Sequence, residues 1–148
     1  MSATSVETTV RETVSEAEAL VRDFESCALP RERWTHAAHL TVALWYLLHH
    51  EWDEAVLLTR RGIRRYNEAS GVANTRESGY HETLTIFWLR HVLRFLESHR
   101  DDCCDVDRLA DELITTADKN LPLEFYTREL LFSFEARARW VEPDLKTL

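Results

Sequence analysis

The sequence predicts an all-α protein, built as a single up-and-down bundle of five to six helices. Apolar residues recur at helical spacing from Ser15 to Trp140. Three glycines and three prolines in 148 residues leave room for few turns, hence for a few long elements. No segment alternates apolar and polar residues as a half-buried strand does.

Residues 1–14 read as a flexible polar tail, which leaves 15–148 as one helical domain with one core. Ser15-x-x-Glu18 is a capping box, with Val14 and Ala19 placed as a hydrophobic staple. It predicts a first helix from about Glu16 to Cys27 that buries Leu20, Phe24 and Cys27, ended by Leu29-Pro30. A second helix covers about Arg31 to His50, with Pro30 near its start. It is apolar nearly all round, as the buried centre of a bundle should be.

A third helix runs from about Trp52 to Ala69 behind the stripe Trp52, Val56, Thr59, Ile63 and Tyr66. A polar loop holding Gly71 and Gly79 separates it from a fourth helix, about Tyr80 to His99. Asp105 caps a fifth with Leu109, Leu113 and Ile114 inward. Asn120 and Pro122 open a sixth that breaks near Ser133, itself an N-cap for a last short helix through Trp140, and Pro143 closes it.

Charge and composition narrow the partners. A net charge of −8 argues against nucleic acid and anionic lipid. No run approaches eighteen uncharged apolar residues, so no membrane span is expected. The N-terminus lacks a signal-peptide pattern, so a cytoplasmic protein is expected. Cys27, Cys103 and Cys104 are odd in number without Cys-x-x-Cys spacing and read as reduced thiols.

The chemistry-bearing residues fall in two clusters. His36 and His39, three apart, lie about 60° apart on one face of the second helix, where neighbouring imidazoles can chelate one cation. Gly79-Tyr80-His81-Glu82-Thr83-Leu84-Thr85 opens the fourth helix, with His81 and Thr85 on one face. Together they predict a site between the second and fourth helices. His36, His39, His81 and Glu82 would hold a divalent transition metal (Fe, Mn, Zn or Cu), with Glu82 as fourth ligand or general base of an enzyme acting on a small molecule. The alternative is a non-enzymatic module that binds a small molecule or partner, its histidines forming a buried polar network that fixes helix register.

Other features read as structure. Arg60, Arg61, Arg64 and Arg65 form a solvated basic face. Of the five tryptophans, Trp34 and Trp88 are placed to wall a pocket near the histidines. Arg137 pairs with Glu135 or reaches inward to Glu82. No Ser-His-Asp or Gly-rich phosphate motif is present.

A resemblance adds to this reading. The motifs are Leu29-Pro30, Trp34-Thr35-His36-x-x-His39-Leu40, Val42-Ala43-x-x-Tyr46-Leu47, Tyr80-His81-Glu82-Thr83, Trp88, Tyr126-Thr127, Ser133, Ala136-Arg137 and Val141-Glu142-Pro143-Asp144-Leu145. In these the chain resembles a family of small, largely uncharacterised bacterial helical proteins. The resemblance spans roughly residues 20 to 145 and brings no activity with it. It implies that both histidine clusters and Arg137 belong to the family's pattern.

Overall fold

A computed structural model of the chain describes residues 14–99 and 105–148. The expected tail, apart from Val14, and the Cys103-Cys104 pair lie outside the described residues. The described chain is all-helical: α1 (Glu16–Glu25), a 3-10 turn (Arg31–Arg33), α2 (His36–His49), α3 (Trp52–Ala69), α4 (Glu82–Ser98), α5 (Val106–Thr116), α6 (Pro122–Phe125), α7 (Arg128–Leu131) and α8 (Phe134–Ala138). None of these helices is long and apolar enough to cross a membrane.

Among the described residues eight α-helices stand where five or six were expected, because the C-terminal part is broken more finely. The anticipated sixth helix is two short ones, α6 and α7, with Tyr126 extended between them. Thr127 accepts a hydrogen bond from the Leu130 N–H and starts α7 afresh. Ser133 caps α8 as its sequence context suggests, accepting from the Ala136 N–H at 3.1 Å. α8 ends at Ala138, well before Trp140.

The longer helices start where their caps say. Ser15 accepts from the Glu18 N–H at 3.0 Å, although Glu18 turns away to pair with Arg22, so only half of the capping box forms. Asp107 completes that helix start from a distance, accepting from the Glu16 and Ala17 N–H groups at 3.1 and 2.9 Å and tying α5 to α1. α1 ends at Glu25 rather than Cys27, since Cys27 adopts a left-handed φ of 60° and the Ala28 N–H folds back to the Asp23 carbonyl. α2 starts five residues later than expected. Trp34 leaves the helical region at ψ 65°, and Thr35 caps the true start through the Ala38 N–H.

α2 is the central element, packing against α1, α3, α4 and α5. Leu40 and Leu44 join a core with Leu89 and Val92 of α4 and Leu113 of α5, while Val42 and Tyr46 join another with Phe24 of α1 and Tyr66 of α3. The close α1–α3 approach needs Gly62, where a Cβ would lie 2.7 Å from Phe24 Cε2. The C-terminal helices bury Tyr126 and Leu131 against Phe87 of α4.

Candidate functional site

A cavity of about 560 Å³ opens between α2, α3, α4 and the loop that joins α3 to α4. Its size suits a drug-sized organic molecule. Trp34, His36 and His39 face it from α2 and the turn before, Thr59, Ile63 and Asn67 from α3, and His81, Leu84 and Trp88 from the start of α4. The three expected histidines therefore share one cavity wall system, and both tryptophans singled out in the sequence line it. Glu82 does not.

The α2 wall keeps polar capacity in reserve. His39 donates from Nδ1 to its own helix-cap carbonyl, Thr35 O, at 2.7 Å, and its ring stacks on Trp34 with centroids 3.7 Å apart. Nε2 is then an unprotonated acceptor, and no described residue bonds to it. Burial pushes the imidazole down to about 4, against the Thr35 bond and with help from nearby His36. His36 turns elsewhere: its Nε2 donates to Ala117 O at 2.8 Å, and its ring meets the edge of Trp88 at 4.7 Å. A carbonyl only accepts, so the proton sits on Nε2. The i, i+3 pair thus diverges, one ring toward the turn before α2 and one toward the end of α5.

The α4 wall is saturated. His81 is the N-cap residue of α4, not a first-turn ligand: its Nδ1 accepts from the Leu84 N–H at 3.1 Å. Its Nε2 donates to Leu131 O at 2.7 Å, tying the helix start to the end of α7. Both ring nitrogens are used, and only the neutral ring serves both bonds. Burial lowers its pKa, and the Arg137 charge adds to this, against the Leu131 bond. Glu82 meets Arg60 in a two-pronged pair, Nε to Oε1 at 3.0 Å and Nη2 to Oε2 at 2.6 Å, and accepts a short hydrogen bond from the Tyr80 hydroxyl. Burial alone would raise the Glu82 carboxyl, but these two donors outweigh it and hold the group below its usual range. Burial, and then Glu82, raise the Tyr80 hydroxyl.

The expected ligand set is therefore not assembled as a metal shell. Among the described residues no three His, Cys, Asp or Glu side chains are grouped to hold a cation. A His₃-carboxylate centre does not fit: ligation by His81 would undo the α4 cap, and ligation by Glu82 would strip Arg60 of its partner. The nitrogens of His36 and His39 without protein partners are the remaining donors of the set.

Three features escaped sequence reasoning. Arg60, read as part of a solvated face, reaches from α3 to Glu82. Arg137 bonds the Gly79 carbonyl at 2.9 Å, and Glu135 pairs with Arg139. The loop that closes the cavity is built on Asn74, whose Oδ1 accepts from the Tyr80 N–H and from Asn67 Nδ2, both at 3.0 Å. Gly79 sits beside it at φ +81°, where a Cβ would lie 2.5 Å from Ala73 O. The two glycines flanking this polar loop were the available signal.

Fold and site together define an all-helical protein with a histidine-lined cavity beside its central helix. Comparison with family models, with curated proteins and with solved structures gives no match.

Proposed function

We propose that this cavity binds a small organic molecule and that His39 Nε2 accepts a hydrogen bond from it. The five longer helices serve as an up-and-down bundle that holds the two walls apart. One observation carries the reading: the imidazole lines the cavity and is oriented by Thr35 O and Trp34, while its other nitrogen has no partner among the described residues. Every buried side-chain nitrogen or oxygen of the described residues has a partner, so this one reaches open space, and an oriented acceptor on a cavity-lining side chain is a place for a ligand donor. A group at about 4 is neutral at pH 7 and a poor proton acceptor there, since general bases work best near the operating pH. The reading is therefore a binding module first, with any proton transfer assisted only weakly by His39. Glu82, engaged on both oxygens, acts as a strut between α3 and α4 rather than as a base.

A fragment screen by saturation-transfer NMR tests this against wild type and Leu84→Trp, which fills the cavity. Fragments that bind wild type, weaken about tenfold in His39→Leu for one lost hydrogen bond, and vanish in Leu84→Trp support the reading. Binding that Leu84→Trp does not change removes it. The metal reading of the cluster would rest on His36 and His39; about one chelator-removable transition-metal ion per chain, lost in His39→Ala with a fall in melting temperature, would favour it instead.

A further inference from the structure

The chemistry of the lining narrows the ligand, given that the cavity is the binding site. Arg31, at the exposed start of the 3-10 turn, is the one Lys, Arg, Asp or Glu side chain among the described residues that line it. It makes no hydrogen bond or ion pair with any described residue, whereas Arg60, Arg65 and Arg139 each find an acceptor in the fold. In a chain of net charge −8, an unpaired guanidinium at a cavity is the local feature that favours an anion.

The interior offers the opposite polarity. Every buried side-chain nitrogen or oxygen of the described residues has a partner, so one without a protein partner reaches open space. His39 Nε2 is such an atom, and Asn67 Oδ1 is another, because its amide nitrogen is committed to Asn74. The hydroxyls of Thr59 and Thr85 donate to Ala55 O and His81 O, both at 2.8 Å, which leaves their oxygens as acceptors only. With His36 Nδ1, left unprotonated by the bond from Nε2 to Ala117 O, the lining residues carry five acceptors, and the cation stands at the exposed edge. Among the described residues no carboxylate lines the cavity, so a ligand ammonium would be desolvated without a counter-charge. A neutral O–H or N–H is the donor that fits. The remaining surface is apolar: Phe24 and His39 stack on the Trp34 ring, which leaves its edge to the cavity, and Trp88 adds a second aromatic wall.

We propose that the cavity takes an organic monocarboxylate with a flat apolar body and a neutral hydroxyl or N–H at its far end. Its carboxylate pairs with Arg31, its body lies against Trp88 and the edge of Trp34, and its distal donor meets His39 Nε2 and Asn67 Oδ1. A hydroxyaryl acid is the simplest such molecule.

Four probes separate the terms: 4-hydroxyphenylacetate, its neutral amide 4-hydroxyphenylacetamide, phenylacetate, and the cation tyramine. Each is titrated into the intact protein while the indole N–H signals of Trp34 and Trp88 are followed by NMR, with Leu84→Trp as the filled-cavity control. The hydroxy acid should bind about tenfold or more tightly than its amide, and Arg31→Gln should erase that gap. It should bind about tenfold more tightly than phenylacetate, a gap that His39→Leu closes. Tyramine should bind weakest. If amide and acid bind alike and both are lost in Leu84→Trp, the carboxylate assignment is overturned while the cavity remains a binding site. If phenylacetate matches the hydroxy acid, the distal donor is overturned. If no probe moves either indole signal, the ligand class is overturned, and the fragment screen with Leu84→Trp decides separately whether the cavity is a binding site.

Discussion

The two walls of the cavity carry the same residue type and use it in opposite ways. On the α4 side, His81 caps a helix with one nitrogen and holds a carbonyl fifty residues away with the other, while Glu82 is locked between Arg60 and Tyr80. On the α2 side, His39 lines the cavity, spends one nitrogen on its own helix start and leaves the other without a partner among the described residues. A saturated polar group holds the fold together, because removing it strands partners in a dry interior. An open one adds little to stability and is available to a ligand.

The sharpest way to break this contrast is His81→Phe. It keeps a ring but leaves the Leu84 N–H and Leu131 O without partners, at a cost of about 3 kcal/mol for a lost cap and a buried unpaired carbonyl. Urea unfolding should show this as a lower midpoint with unchanged slope, and His81→Asn, which can cap but cannot reach Leu131, should recover part of it. A His81→Phe protein as stable as wild type would remove the structural role of the α4 wall.

Acidification is the next largest effect and bears on the α2 wall. The folded His39 takes a proton only near pH 4, whereas the unfolded chain takes it near 6.5. The unfolded state therefore binds more protons between these values, and stability present above pH 6.5 is lost as pH falls toward 4. His39 alone should contribute a loss of roughly 2 kcal/mol between pH 6.5 and 5 at 1.36 kcal/mol per pH unit. His81, also lowered, acts in the same direction. Unfolding free energies at the two pH values should differ less in His39→Leu than in wild type; an equal difference would show that His39 titrates normally in the folded protein.

Glu82→Gln should rank just below. It leaves Arg60 with a weaker acceptor in a half-buried setting, and the side chain of Glu82 is only 13% exposed. The partial exposure of Arg60 screens the pair, so a loss of about 2 kcal/mol is expected rather than the 3–5 of a fully buried pair. Differential scanning calorimetry should register a fall of a few degrees. No change at all would place the Arg60–Glu82 contact with the surface pairs.

The smallest effect is the one that most sharpens the comparison. His39→Leu at pH 7 should shift stability by less than about 1 kcal/mol, since the only bond lost is the local one to Thr35 O and the apolar contact with Trp34 remains. The same substitution should cost ligand binding about tenfold. A drop as large as that of His81→Phe would mean that His39 too is part of the frame.

How far the sequence reaches differs between frame and site. Ser15, Asp105 and Ser133 act as the caps their positions suggest, and α3 spans the predicted Trp52 to Ala69, because caps and apolar stripes are local features that neighbouring residues alone specify. The placement of Trp34, His36, His39, His81 and Trp88 around one space follows from the same local logic, since each sits near the start of a helix that faces the core. What those side chains do there is not local. His81 finds Leu131, His36 finds Ala117, and Glu82 finds Arg60 across separations of 50, 81 and 22 residues. A histidine written into a sequence offers two nitrogens and no record of which is free. The tertiary structure decides that, because the acceptor for each N–H is supplied by whichever distant segment packs against it, and only the nitrogen that packing leaves uncovered remains for chemistry.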